Sequence, residues 1–312
     1  MTTAQFSYEH VLVSTDFSPH AEAALRQAIW LGRQSPLRIT LAHAYPDLRQ
    51  VVHHASAKAK IDLLYGEGKA FDEEVRKESE TKMRRIVAGV NANDLNIDYL
   101  TLLGDPSVEV TRAVQGGNVD LVMAGTRGLG RWERFFVGST AKRLIRKCPA
   151  DVWIVKAEHV GEPKIVLAAT DFSEASRRAV LRAMTIAQRA HAEFHLLHAI
   201  DSNDVPDDVV ERIPEGSSLR EEINAEAAKH LDGFVASLPA DLGPVQTHQT
   251  YGIPWMEIGR TAEHLKADLI VMGSIGRSGI TGLLLGNTAE RVLDTCDCSI
   301  LTIKPEGFVS PV

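Results

Sequence analysis

Two glycine-rich stretches have the residue types and spacing to hold a phosphate. The first is Gly125, two residues, Gly128, nine residues, Gly138 and then Ser139-Thr140; the second is Gly273, two residues, Gly276, nine residues, Gly286 and then Asn287-Thr288. Glycine lets backbone N–H groups turn toward an anion with no Cβ in the way. Each stretch runs into a helical pattern, "STAKRLIRK" or "NTAERVLDT", whose first amides and dipole attract negative charge. An ordinary connection in an α/β unit takes about 2–6 residues. Here Thr126 to Val137 separate Gly125 from Gly138, an excursion that a simple turn does not need. The first loop carries Arg127, Arg131 and Arg134 against Glu133, whereas Arg277 stands alone in the second. A triphosphate is therefore expected to prefer the first loop. The competing reading is a plain glycine loop ending in a helix cap, with Ser139 or Asn287 as the cap.

An aspartate follows an apolar run in each half: Asp16 in "STDFS" and Asp171 in "ATDFS". Such a residue can cap the helix that follows, but Ser18 and Ser173 occupy the better cap positions, which leaves the aspartates to meet a ligand.

These residues recur because the chain is duplicated. Asp16 and His43 match Asp171 and His198 at an offset of 155. Gly104, Gly125, Gly138, Cys148 and Lys156 match Gly252, Gly273, Gly286, Cys296 and Lys304 at an offset of 148. Two homologous domains are expected, at 1–158 and 163–312, joined by "EHVGEP". In the first, "HVLVST", "RITLAHA", "IDYLTLL", "DLVMAG" and "DVWIVK" read as strands; in the second, "KIVLAAT", "EFHLLHA", "VQTHQTY", "DLIVMG" and "SILTIK". Several are nearly continuous apolar runs, as in parallel strands covered on both faces. Helical patterns lie between them. Ser18-Pro19 opens the first, and Leu219, Ile223, Ala227, Leu231, Phe234, Val235 and Leu238 make an apolar stripe in another. The fold class is α/β: two tandem, doubly wound, five-stranded parallel sheets with right-handed crossovers. In such sheets ligands bind beyond the carboxyl ends of the strands, where strand order reverses. The loops after the first, second and fourth strands meet there, carrying Asp16 or Asp171, Ala44 or Ala199, and the glycine stretch.

Composition agrees with a globular chain of two domains. It has 312 residues, 44% hydrophobic and 24% charged. The net charge of −7 argues against broad binding to nucleic acid or anionic membranes. The start "MTTAQFSYEH" does not read as a secretory signal, no apolar run is long enough to span a bilayer, and three cysteines do not make a disulfide framework. A cytoplasmic location is the expectation. There is no G-x-x-x-x-G-K-[ST], no G-x-G-x-x-G after a first strand, and no nucleophile elbow. His191, His195 and His198 do not form a metal site, because strand alternation turns His195 and His198 to opposite faces. His53-His54 reads as solvent-facing, and Cys148 as a small buried hydrophobe.

The glycine spacing, "STDFS" and the tandem strand pattern resemble the universal stress protein family, almost end to end. Within it, "HLKADLIVMGSIGRSGITGLLLGNTAERVLD" and "RKCPADVWIVK" are similar to the tandem proteins of the E type. The resemblance implies an ATP or adenine-nucleotide site at Asp16, Ala44, Gly125, Arg127, Gly128, Gly138, Ser139 and Thr140, with any Mg2+ carried by the nucleotide. It implies a second site at Asp171, Ala199, Gly273, Gly276, Gly286, Asn287 and Thr288, degenerate because Asn287 replaces the family's Ser or Thr. It also implies pairing of the two halves through their last strands as an intramolecular pseudo-dimer, and further homodimerisation. The expected role is a nucleotide-dependent stress-response regulator with an unidentified protein client and little or no catalysis. The alternatives are a nucleotide-independent interaction module, a binder of apolar ligands through the second domain, and a slow ATP hydrolase.

Overall fold

A computed structural model describes residues 7–46, 69–92, 94–126, 137–201, 218–276 and 285–312. It divides into two compact units, one built mainly on Tyr8 to Gly161 and the other on Glu162 to Val309.

The first half contains β1 (His10–Thr15), β2 (Arg38–Tyr45), β3 (Ile97–Leu103), β4 (Leu121–Gly125) and β5 (Asp151–Val155), interleaved with α1 (Pro19–Gln34), α2 (Lys69–Gly89), α3 (Pro106–Gly116) and α4 (Ser139–Lys147). The strands are parallel in the order β3-β2-β1-β4-β5. The second half repeats this with β6 (Ile165–Ala169), β7 (Glu193–Asp201), β8 (Gln246–Gly252), β9 (Leu269–Gly273) and β10 (Ser299–Ile303), ordered β8-β7-β6-β9-β10. Its helices are α5 (Glu174–Arg189), α6 (Ser218–Ala236), α7 (Pro254–Leu265) and α8 (Asn287–Thr295). The order reverses between β1 and β4, and again between β6 and β9, so both halves have the switch point that the alternating pattern requires.

Burial explains the apolar runs of several strands. Val11, Leu12 and Val13 are consecutive and all buried, as are the five residues of β5 and the five of β10. Covering each large apolar side chain among them stabilises by about 1.5–3 kcal/mol. A repeated aspartate fixes how the first strand of each half starts. Asp120 accepts from the Glu9 and His10 amides at 2.8 and 3.1 Å, and Asp268 accepts from Lys164 and Ile165 at 2.8 and 3.0 Å. Ser18 and Ser173 cap α1 and α5, accepting from Ala21 and Ser176, as their positions predict. Cys148 is fully buried.

The apolar stripe expected on α6 is only partly covered. Leu231 is buried, but Ile223 and Ala227 are half-exposed, Leu238 lies beyond the helix end, and the Leu219 side chain is outside the described residues. The cause lies in β8, whose sequence "QTHQTYG" is polar and offers α6 little apolar surface.

Candidate functional site

Strand register brings the predicted residues to the switch points. Ser14 lies beside Ala124 and Thr15 beside His43, so Asp16 follows β1 and Gly125 ends β4 at the carboxyl edge, whereas Ala44, expected in the loop after β2, is still within that strand and pairs with Leu102. The second half repeats this: Ala168 pairs with Val271 and Ala169 with Leu197, Asp171 follows β6, Gly273 ends β9, and Ala199, expected in a loop, lies within β7 opposite Thr250.

A strained residue shapes the turn after the first strand. Phe17 and Phe172 have φ of 65° and 63°, a left-handed conformation that is uncommon for a bulky side chain. Such a residue costs on the order of 1–3 kcal/mol and persists only where its surroundings over-determine it. Here the Phe17 and Phe172 amides donate to Thr15 and Thr170 Oγ1, both at 3.0 Å. Their rings pack on His43 and His198 with centroids 4.2 Å apart. The histidines are fixed in turn: Nδ1–H of His43 donates to the Thr15 carbonyl at 2.8 Å, and that of His198 to Thr170 at 2.9 Å. Burial, reinforced by Lys82, outweighs the carbonyl contact and Asp16 and lowers the His43 pKa, which keeps this support neutral. The sequence reading missed both phenylalanines, although the repeated "DFS" was the signal.

The aspartates do two things in this turn. Asp16 Oδ1 accepts from the Ser18 amide at 3.0 Å, and Asp171 Oδ1 accepts from the Ser173 amide at 3.0 Å and its hydroxyl at 2.5 Å. Ser18 and Ser173 do cap the helices, as expected, but each aspartate also buttresses the serine that caps.

The glycine loops are closed at their bases. Gly138 N–H donates to the Thr126 carbonyl at 2.7 Å, and Gly286 N–H to Ser274 at 2.8 Å. The glycines themselves are the N-caps of α4 and α8, in extended conformation and with no side-chain hydrogen bond to the first amides. The expected Ser139 or Asn287 cap is thus corrected: both residues are the first of their helix and exposed, because the preceding glycine is held by the loop base. By contrast, α1, α3 and α5 carry side-chain caps from Ser18, Asp105 and Ser173. The α7 cap, Ile253, also lacks one, but Pro254 at its first turn removes an amide that would need it.

Three predicted residues of the second half converge. A Cβ on Gly276 would lie 2.9 Å from Asp171 Oδ2, and one on Gly286 would lie 3.7 Å from the Gly276 nitrogen. The aspartate, the loop glycine and the uncapped helix start therefore share one small space, kept open by the absence of side chains. Ser274 Oγ, fully buried at the loop base, has no hydrogen-bond partner among the described residues. Thr140 and Thr288 are half-buried in the first turns of α4 and α8. Gly125 has a different explanation, since a Cβ there would lie 2.4 Å from the main-chain carbonyl of His20. It is required by the close approach of α1. Arg127, Gly128, Arg131, Glu133, Arg134 and Arg277 lie outside the described residues, as do His53 and His54.

The second helices of each half rim these turns. Lys82 Nζ stands 5.9 Å above the Phe17 ring and pairs with Glu78 at 2.7 Å. Its counterpart His230 lies edge-on to Phe172 with centroids 6.2 Å apart, and pairs with Glu226 at 3.3 Å. Among the described residues no group of three His, Cys, Asp or Glu side chains is placed to hold a metal ion. No helix there is long and apolar enough to cross a membrane.

The family model described as the universal stress protein family matches residues 7–156 and again 163–304. The chain belongs to the universal stress protein family. This universal stress protein is 31% identical to universal stress protein E of Escherichia coli K12 over 218 residues, 66% of this chain and 67% of that one. It is 26% identical to universal stress protein E of Photorhabdus laumondii, with 98% of each chain covered. Among solved structures, a universal stress protein from Archaeoglobus fulgidus superposes with a TM-score of 0.65 at 20% identity, covering 95% of this chain and 98% of that one. One from Pseudomonas aeruginosa UCBPP-PA14 gives 0.64 at 21% identity, with 97% and 95% covered. Both likenesses concern the fold.

Proposed function

We propose that this universal stress protein binds ATP or a related adenine nucleotide, and acts as a nucleotide-dependent regulator with little or no catalysis. The observation that carries the reading is the uncapped helix start behind a clamped glycine loop, found in both halves beside the aspartate-bearing turn. Amides left without a side-chain partner at a helix N-terminus suit a phosphate. Gly276, Gly286 and the orphaned Ser274 hydroxyl give the second half a cradle that any side chain would fill.

In the first half, Gly138, Ser139 and Thr140 would hold phosphate oxygens, Arg127 and Gly128 would complete the loop, and Asp16 with the Ala44 backbone would face the nucleoside. In the second, Asp171, Ala199, Gly273, Gly276, Gly286, Asn287 and Thr288 take the same places. The Asn287 amide can donate to phosphate in place of a hydroxyl. The arginine balance of the loops favours the first half for a triphosphate. Any Mg2+ would enter with the nucleotide. Binding would order the glycine loop and shift the half toward a state that a partner recognises.

The test is to denature freshly purified protein and quantify the nucleotide released per chain, for the natural sequence and for Gly138→Asp and Gly286→Asp. About one adenine nucleotide per chain, lost in Gly138→Asp alone, is the expected result. No nucleotide released and none bound when ATP is added back would overturn the proposal.

A further inference from the structure

The second half carries an open pocket of about 490 Å³ between β8 and α7, on the sheet edge away from the glycine loop. His248 and Thr250, two apart on β8, share its wall with Glu257, Arg260, Thr261 and His264 of α7. On α7 the spacing of 257, 261 and 264 sets those side chains on one face. The Thr250 hydroxyl is buried without a hydrogen-bond partner among the described residues. Behind His248 lies His195 of β7, 3% exposed, with its Nδ1 2.8 Å from His248 Nε2 and the rings stacked at 5.1 Å. Among the described residues His195 Nε2 has no hydrogen-bond partner either, and it faces Glu193 Oε2 at 3.5 Å.

The duplication supplies an internal control. The Glu–Arg pair occurs in both halves, Glu109–Arg112 at 2.6 Å and Glu257–Arg260 at 2.8 Å, so it belongs to the shared scaffold. The rest of the cluster does not. Where the second half has His195, His248, Thr250, Thr261 and His264, the first has Thr40, Leu100, Leu102, Ala113 and Gly116. Across β7, β8 and one face of α7, four positions carry hydrogen-bonding groups where the first half has none, and at the fifth an imidazole stands in place of the Thr40 hydroxyl; three of the five are imidazoles.

Two imidazole nitrogens 2.8 Å apart must share a single proton, one donating and the other accepting. A second proton on the pair would bring two N–H groups face to face. The charged or titratable groups around His248 are Glu193 and His195 from β7, and Glu257, Arg260 and His264 from α7; α8 sends Arg291 to Trp255 at the other side of α7. Glu257 is engaged by Arg260, and Glu193 stands beyond His195. Burial first, then His195 and His264, lower the His248 pKa. An added proton would meet only Glu193, largely exposed and on the far side of His195, and an anion in the pocket would supply a counter-charge on the His248 side.

We propose that the β8–α7 cavity binds a small organic anion bearing a carboxylate or phosphate, taking up a proton on the His195–His248 pair as it does so. The Arg260 guanidinium at the rim and the Thr250 hydroxyl in the wall supply the remaining donors. The site is separate from the nucleotide-binding reading and does not depend on it.

The experiment follows the histidine ring C–H resonances of the full chain by NMR while inorganic phosphate or, separately, succinate is added. It is run at about pH 5.5 and about pH 8, on either side of the ordinary imidazole value. The His248 and His264 resonances should move at the lower pH, with affinity weakening by up to about tenfold per pH unit as one linked proton is lost. A response to phosphate alone or succinate alone assigns the headgroup, and either supports the proposal. In His248→Gln the pH dependence should disappear, and the exposed His264→Gln variant, which leaves the core untouched, should weaken binding. Resonances of His248 and His264 unmoved by both anions at the lower pH would overturn it. So would unchanged pH dependence in His248→Gln. Anion binding at the glycine loops would leave these two resonances still, so the sites are read separately.

Discussion

Gly125→Ala and Gly273→Ala are the same substitution at duplicated positions, and the structure gives them different outcomes. At Gly125 the added Cβ would lie 2.4 Å from both the carbonyl carbon and oxygen of His20, and 2.8 Å from its Cβ. The atoms met are main chain in the first turn of α1, so no rotamer change relieves them. Relief requires α1 to retreat from β4 by roughly half an ångström or more, against a face holding Ala21, Ala24, Leu25 and Ala28 in full contact. Overpacking of this kind costs about 1–3 kcal/mol and occasionally more; with rigid backbone on both sides, about 3 kcal/mol is expected. At Gly273 the nearest atoms are the Ile275 carbonyl oxygen at 3.2 Å and Ala175 at 3.6 Å. A shift of a few tenths of an ångström suffices, and the lost freedom of the unfolded chain returns about 0.4–1 kcal/mol. The net change should be under about 1 kcal/mol. Urea unfolding reads the contrast directly: with a slope of about 2 kcal/mol per molar, Gly125→Ala should lower the midpoint of the first half by about 1.5 M. Gly273→Ala should leave the midpoint of its own half nearly in place. Equal losses, or a larger one at Gly273, would refute the packing argument and return Gly125 to a purely ligand-driven explanation.

Asp105 caps α3 by accepting from the Ser107 and Val108 amides at 2.9 and 3.2 Å, so Asp105→Ala should cost about 1–2 kcal/mol in the same assay. Tyr8→Phe removes the hydroxyl that donates to buried Asp151 at 3.0 Å; a loss of about 1.5–3 kcal/mol by chemical denaturation is expected. Burial is the largest influence lowering the pKa values of His10, His43 and His248 below 6.5. The unfolded chain therefore binds more protons between those lowered values and the ordinary one, so stability is full above about pH 6.5 and is lost as pH falls through the lowered values. Melting temperature against pH should decline on the acid side, and His43→Gln should flatten part of that decline. A flat acid limb in the natural sequence would contradict the burial of these imidazoles.

The inner strands were legible because burial on both faces writes itself as consecutive apolar residues, as at Val11 to Val13. The duplicated aspartates, glycines and serine caps were legible because each acts within a few residues of its own position. Three features were not. Glycine outranked Ser139 and Asn287 as the helix cap because the loop base seizes the Gly138 and Gly286 amides, a contact 12 residues long in the chain. The α6 residues read as one apolar stripe, yet how far that stripe is covered depends on what β8 offers. The His195–His248 contact joins residues 53 apart and depends on β7–β8 register, which no local pattern encodes. Strand alternation set His195 apart from His198 in the sequence; only the neighbouring strand shows what it meets instead.

The amide-to-carbonyl bonds at Thr126–Gly138 and Ser274–Gly286 act as clasps. They hold both ends of each excursion together at the sheet, so the chain between them can be lengthened, shortened or rewritten without dragging β4 or β9 out of register. Selection can then alter what each half captures while leaving its foldability alone. A duplicated gene with two such clasped segments holds two independent drafts of a binding preference, which offers a plain route to halves that share a scaffold and differ in ligand.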